Sequence, residues 1–196
     1  MGNRGCLHRG SSIVRHHRGQ RWIICDTTYK DWRAPQWMDG RYTVLFFHDE
    51  AVALAAGHRP CALCRRGAFE AYRAPLGRPA APALDARLHD ERWDGDGQRH
   101  HARPWADLPT GAFVLLEHEP ALVRADAVIP WTPSGYGHAR ERPRRGEASV
   151  ITPPASLEVL ASGYPVQIAA QVHAPVSTGV RPAVRTRDAT VEERRA

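Results

Sequence analysis

All four cysteines of this 196-residue chain, Cys6, Cys25, Cys61 and Cys64, lie in its first third. The last two form a C-x-x-C pair inside AAGHRPCALCRR (55–66), just after Gly57 and Pro60. The N-terminus MGNRGCLHRG carries no hydrophobic signal region, and no apolar run approaches the length of a membrane span. A cytoplasmic chain with reduced thiols is therefore expected. C-x-x-C on a turn feeding a helix offers two thiolates to one tetrahedral zinc, and nearby backbone N–H groups can hydrogen-bond the sulfurs. A redox pair of this spacing usually sits in a thioredoxin-like βαβ unit, which the flanking pattern lacks. Clustering predicts one shared Zn2+ site built from Cys6, Cys25, Cys61 and Cys64. His8 is an alternative to Cys6 as the fourth ligand, and His58 lies close to the pair in sequence. In zinc-dependent peptides binding contributes on the order of 10–16 kcal/mol, ample for a module with little core.

The local pattern predicts an α+β protein. RWIICDTTY (21–29) and YTVLFF (42–47) read as the two strands of a β-hairpin. HDEAVALAAG then reads as a short helix, with Asp49 as N-cap, Glu50 in its first turn and Gly57 as its stop. A second helix is expected from about 62 to 72. Together these make a zinc-stapled module over 1–75, joined by a Pro/Ala-rich linker to a small sheet with packed helices over 83–170. In that second part ALDARLHDERW is an amphipathic helix with Leu84, Leu88 and Trp93 on one face. GAFVLLEH, PALVRA, AVIPWT and SVIT are strands, PPASLEVLASG is a helix and YPVQIA a last strand. The Pro-, Thr- and Arg-rich residues 171–196 read as a disordered tail.

The run LFFHDEAVALAAGHRPCALCRR resembles the metal-binding module of the Ada DNA-repair proteins, with the closest match over 42–66. The resemblance implies a zinc site ending in Cys61 and Cys64, a DNA partner and a role in DNA repair. It aligns Cys25 with the cysteine that in that family takes a methyl group from DNA phosphotriesters. The second ligand of that family would fall at Tyr29, so this chain would have to draw it from Cys6. The likeness spans at most residues 20–75, and neither a helix-turn-helix nor a P-C-H-R motif follows.

Net charge of +6 and a pI of about 9.6 permit a polyanionic partner. Lys30 is the only lysine, so the charge is carried by arginine. Arg59, Arg65 and Arg66 flank the cysteine pair and are the expected phosphate contacts. The favoured reading is a zinc-binding, nucleic-acid-interacting protein with a mainly structural metal. Two rivals are methyl capture by Cys25 and a hydrolase or nuclease. The second would need His16, His17, His100 or His101 to meet a carboxylate in a cleft. Trp131 and Tyr136, in IPWTPSGYG, read first as core packing and second as a stacking surface.

Overall fold

The computed structural model describes residues 1–31, 33 and 35–170, so the expected tail at 171–196 lies outside the described residues. Short strands β1 (Gly2–Asn3), β2 (His8–Arg9), β3 (Ser12–Ile13) and β4 (Ile23–Ile24) precede helix α1 (Glu50–Ala55). Strand β5 (Arg59–Pro60) then leads into α2 (Arg66–Arg73) and α3 (Ala81–Arg92). The second half holds β6 (His101–Pro104), β7 (Phe113–Leu116), β8 (Glu119–Val123), β9 (Ala127–Thr132), β10 (Gly135–Tyr136), β11 (Arg140–Glu141) and β12 (Glu147–Val150). Helix α4 (Pro154–Ala161) follows. The class is α+β, as the pattern predicts.

The main sheet is antiparallel, in the order β10-β9-β8-β7-β12-β6, with β11 also paired to β9. Its register sorts side chains cleanly. Phe113 faces Leu122, which faces Ile129, and all three fall in one buried cluster with Ala51, Val52 and Ala55 of α1. Val114, Ala121, Val123, Val128 and Val150 point the other way, into a cluster with Leu84, Leu88, Leu157 and Leu160 from α3 and α4. Because successive residues of a strand alternate faces, a strand buried on both sides reads as a continuous apolar run, as ALV does in β8. The second cluster also takes in Ile24, Leu54, Phe69 and Tyr72, so residues of 1–75 and of 83–170 share one core. Burying each of its leucines is worth roughly 1.5–3 kcal/mol.

Helix α1 is buried along its whole length and lies between the two clusters. The Asp49 side chain caps it by accepting from Val52 N–H at 2.9 Å. Gly57 ends it at φ +77, a left-handed conformation that favours glycine. A Cβ there would also sit 2.4 Å from Arg92 Cδ, so both space and backbone demand glycine. Arg92 occupies the buried stripe of α3 with Leu84, Asp85 and Leu88, and donates to the Gly57 carbonyl at 2.6 Å. Trp93, expected on that stripe, is only half-buried.

Two expected elements are absent. The hairpin between 21–29 and 42–47 does not form: Ile24 pairs with Gly2, and Gly2 in turn bridges Leu45. The N-terminal strand thus lies between the two segments. Only glycine fits, since a Cβ on Gly2 would come within 2.4 Å of the Phe47 ring. The expected strand YPVQIA is also not a strand. The Gln167 and Ala169 N–H groups donate to the carboxylates of Glu50 and Asp49, while the Gln167 carbonyl accepts from Glu50 N–H and Ala51 N–H. Backbone groups taken by a helix start leave no ladder for a sheet partner.

Candidate metal centre

Strands β4 and β5 run parallel, with Ile24 opposite Pro60. That register carries Cys25 and Cys61 side by side off the same edge, and Cys61 N–H donates to the Ile24 carbonyl at 2.9 Å. The turn after Pro60 brings Cys64 back to them, just before α2 begins. The three Sγ atoms lie within 4.8 Å of one another and can hold a metal ion. Tetrahedral thiolates at ~2.3 Å from zinc sit about 3.8 Å apart, so the donor set needs only a small contraction around an ion. Leu63 N–H points at Cys61 Sγ at 3.4 Å and Asp26 N–H at Cys64 Sγ at 3.5 Å, the backbone support that a thiolate centre uses.

The thiols are electrostatically unequal. A hydrogen bond from Cys25 lowers the Cys61 pKa to about 5, against the opposing effect of burial, and the Cys64 and Leu63 N–H groups add to the lowering. Cys25 is pushed up, first by sharing its proton with Cys61 and then by burial. Burial likewise raises Cys64. An incoming cation must therefore displace protons from the sulfurs whose pKa is raised.

The remaining sequence candidates are distributed differently. Cys6 is outside the group, with its thiol 3.8 Å from the His8 carbonyl, so the expected four-thiolate set is three thiolates among the described residues. His8 is also committed elsewhere: Nδ1 is 2.6 Å from Thr43 Oγ1, and Nε2 is 3.2 Å from the Met38 carbonyl. His58 is fully buried and accepts from Arg4 Nε at 3.2 Å, and desolvation holds it neutral far below its ordinary pKa.

Of the three expected phosphate contacts, Arg59 is a correction. It is buried in a two-point pair with Asp85 and cannot reach an external anion. Arg65 turns inward to Glu50 at 2.8 Å and toward Asp26 at 3.8 Å. Arg66 alone is open, 74% exposed, with a loose 3.6 Å contact to Glu70.

Asp49 and Glu50 serve the start of α1, as the capping pattern predicts. Glu50 also accepts from the Tyr164 hydroxyl and Gln167 N–H, and Asp49 from the Tyr136 hydroxyl at 2.6 Å. Tyr136 and Trp131 pack against Phe113, with ring centroids 6.5 and 6.4 Å away, which agrees with core packing.

Among the described residues, the candidate histidines meet aromatic rings and backbone rather than a carboxylate. His16 packs against Trp93 and His17 against Trp22, His89 and Trp93, while His101 Nε2 meets the Glu91 carbonyl at 2.7 Å. Among the described residues none of the three is ion-paired with a carboxylate, and His100 is exposed.

Side chains other than the cysteines also come near the sulfurs. The Tyr42 phenol is raised by burial and then by the charges of Cys25, Cys64 and Cys61, which places it next to the trio. Asp26, Glu50 and Arg65 line a cavity of about 410 Å³ with Cys25, Phe47 and Asp49. Of the three sulfur residues Cys25 is the one in that lining.

The fold and site together define an α+β protein with a three-cysteine metal-binding geometry. No family model matches the chain, and no curated protein and no solved structure matches it. Among the described residues, no helix is long and apolar enough to cross a membrane.

Proposed function

We propose that this is a zinc-binding protein in which Cys25, Cys61 and Cys64 hold the ion as a clamp between β4, β5 and the start of α2. The observation that carries this reading is the meeting of three sulfurs from two segments, the end of β4 and the turn after β5, within 4.8 Å. Soft thiolates in a small tetrahedral set favour zinc over hard, oxygen-seeking cations. Metal analysis of the purified protein tests it: about one zinc per chain is expected, lost on chelation together with thermal stability. A chain that holds no metal and melts unchanged in chelator overturns it.

A nucleic-acid partner, as for an Ada-like repair module, belongs to the same reading. Its support is the likeness over 42–66, the net charge of +6 and the exposed Arg66 beside the centre. Binding to DNA should then weaken steeply between low and physiological salt. A flat salt response, or no binding at low salt, removes this partner.

A second reading is favoured by one observation, the place of Cys25 in the cavity wall. Here Cys25 is a stoichiometric alkyl acceptor for DNA methylphosphotriesters. A bound zinc would keep the sulfurs deprotonated without a general base. Cys25 Sγ then attacks the methyl carbon, the C–O bond breaks, and the phosphodiester leaves with the electron pair. The thioether formed is a poor ligand, so each molecule reacts once. Intact mass after incubation with such DNA should show one methyl group on Cys25.

A further inference from the structure

The wall around Cys25 has a charge that bears on what can approach it. Asp26, Asp49 and Glu50 all line the cavity. The cations facing them are Arg65 and the Met1 amine. Arg65 is engaged with Glu50 at 2.8 Å, and the amine is held on the Cys25 carbonyl at 2.7 Å. Asp49 makes no ion pair among the described residues, and Asp26 is 46% exposed with only a 3.8 Å contact to Arg65. A divalent ion on three thiolates adds a further formal negative charge. The described wall is therefore net negative with or without metal, and among the described lining residues no guanidinium or amine is left over to receive an anion. The phosphodiesters that flank a triester in DNA would meet this field unfavourably. Phe47 supplies an aromatic surface in the same wall, the kind of surface that attracts an organic cation.

We infer that the cavity beside Cys25 takes a small onium group, a sulfonium or quaternary ammonium, with a methyl presented to Cys25 Sγ. The inference rests on the reading that Cys25 is the reactive sulfur and replaces its donor class. In the transfer the Cys25 thiolate pair forms the new S–CH3 bond. The methyl–sulfur or methyl–nitrogen bond breaks toward the donor, which leaves with that electron pair as a neutral sulfide or tertiary amine. No proton moves and nothing is oxidised or reduced. The donor's positive charge is consumed as the thiolate's negative charge disappears, a step that a negative pocket assists at the binding stage by gathering the cation.

Two measurements on the zinc-loaded full chain test this. First, deuterated trimethylsulfonium should transfer one labelled methyl group to Cys25, found by peptide mass spectrometry, and Asp26→Asn should slow the transfer. Second, tetramethylammonium should protect Cys25 from iodoacetamide in the wild type and protect it less in Asp26→Asn. Iodoacetate should label Cys25 about five-fold more slowly, relative to iodoacetamide, than it labels free cysteine, as one nearby like charge implies. If Cys25 resists every reagent, the reactive-sulfur reading falls and this inference with it. If iodoacetamide labels Cys25 freely but neither cation has an effect, the reactive sulfur stands and the onium inference alone is overturned.

Discussion

Arg59 and Asp85 form a two-point ion pair inside the protein, with Nε to Oδ1 at 2.9 Å and Nη2 to Oδ2 at 2.8 Å. Their side chains are 3% and 9% exposed. The pair ties β5, which leads directly into Cys61, to the buried face of α3, and the Arg59 guanidinium also covers the Phe69 ring at 4.9 Å. Removing one partner leaves the other charge buried and unpaired, which costs about 3–5 kcal/mol. Asp85→Ala should therefore lower the urea midpoint sharply with no change in the slope of the transition. A loss below ~1 kcal/mol would mean that water reaches Arg59 in solution.

The cysteines separate into two classes. Cys25→Ala, Cys61→Ala and Cys64→Ala should each lose stoichiometric zinc, while Cys6→Ala should keep it. Metal content by atomic spectroscopy reads this directly. Equal loss in Cys6→Ala would restore the four-thiolate site.

Acid should destabilise the fold through imidazoles whose pKa desolvation lowers. His17 and His89 face each other at 5.0 Å with both Nδ1 atoms buried and unpaired, and Trp22 and Trp93 pack against His17. Burial first, then nearby arginine charge, lowers both pKa values, and His58 is lowered further by the same causes. The folded state thus binds fewer protons than the unfolded chain. The stability is complete above the unfolded value of about 6.5 and is lost as pH falls below it, by up to ~1.4 kcal/mol per pH unit for each group. Urea melts between about pH 8 and about pH 5 should show that slope. A double variant, His17→Gln with His89→Gln, should reduce it to the part that His58 contributes, and an unchanged slope would assign the acid sensitivity elsewhere.

Gly57→Ala introduces a Cβ at φ +77 and 2.4 Å from Arg92 Cδ. Strain of the backbone alone costs on the order of 1 kcal/mol, and displacing a buried arginine adds to it. The variant should melt several degrees lower, whereas Gly67→Ala, whose Cβ meets nothing within 4 Å, should not.

Asp49→Ala removes the α1 cap together with the acceptor for the Tyr136 hydroxyl and Ala169 N–H. A loss of about 2 kcal/mol or more is expected, at the upper end for a cap. Asp49→Asn should recover part of it.

Local signals carried much of this architecture. Asp49, Glu50 and Gly57 marked the ends of α1 because caps and stops act on their own few residues. Alternation and apolar runs located β7, β8, β9 and β12 for the same reason. C-x-x-C announced two of the three sulfurs of the candidate site, since two ligands on one turn are already close in sequence. What sequence could not supply were the partners that depend on long-range pairing. Whether Cys6 or some other group joined Cys25 was decided by the parallel register of β4 on β5, which sets Cys25 beside Cys61 and leaves Cys6 behind. The same fold turned Arg59 inward, because Asp85, twenty-six residues on, offered a buried carboxylate. It also inserted Gly2 between two segments that looked like a hairpin, a placement that follows from the absence of a side chain against the Phe47 ring. Capping and amphipathic spacing are read within a turn or two of the chain. Ion pairs, ligand sets and cavity walls belong to surfaces that exist only once distant segments have met.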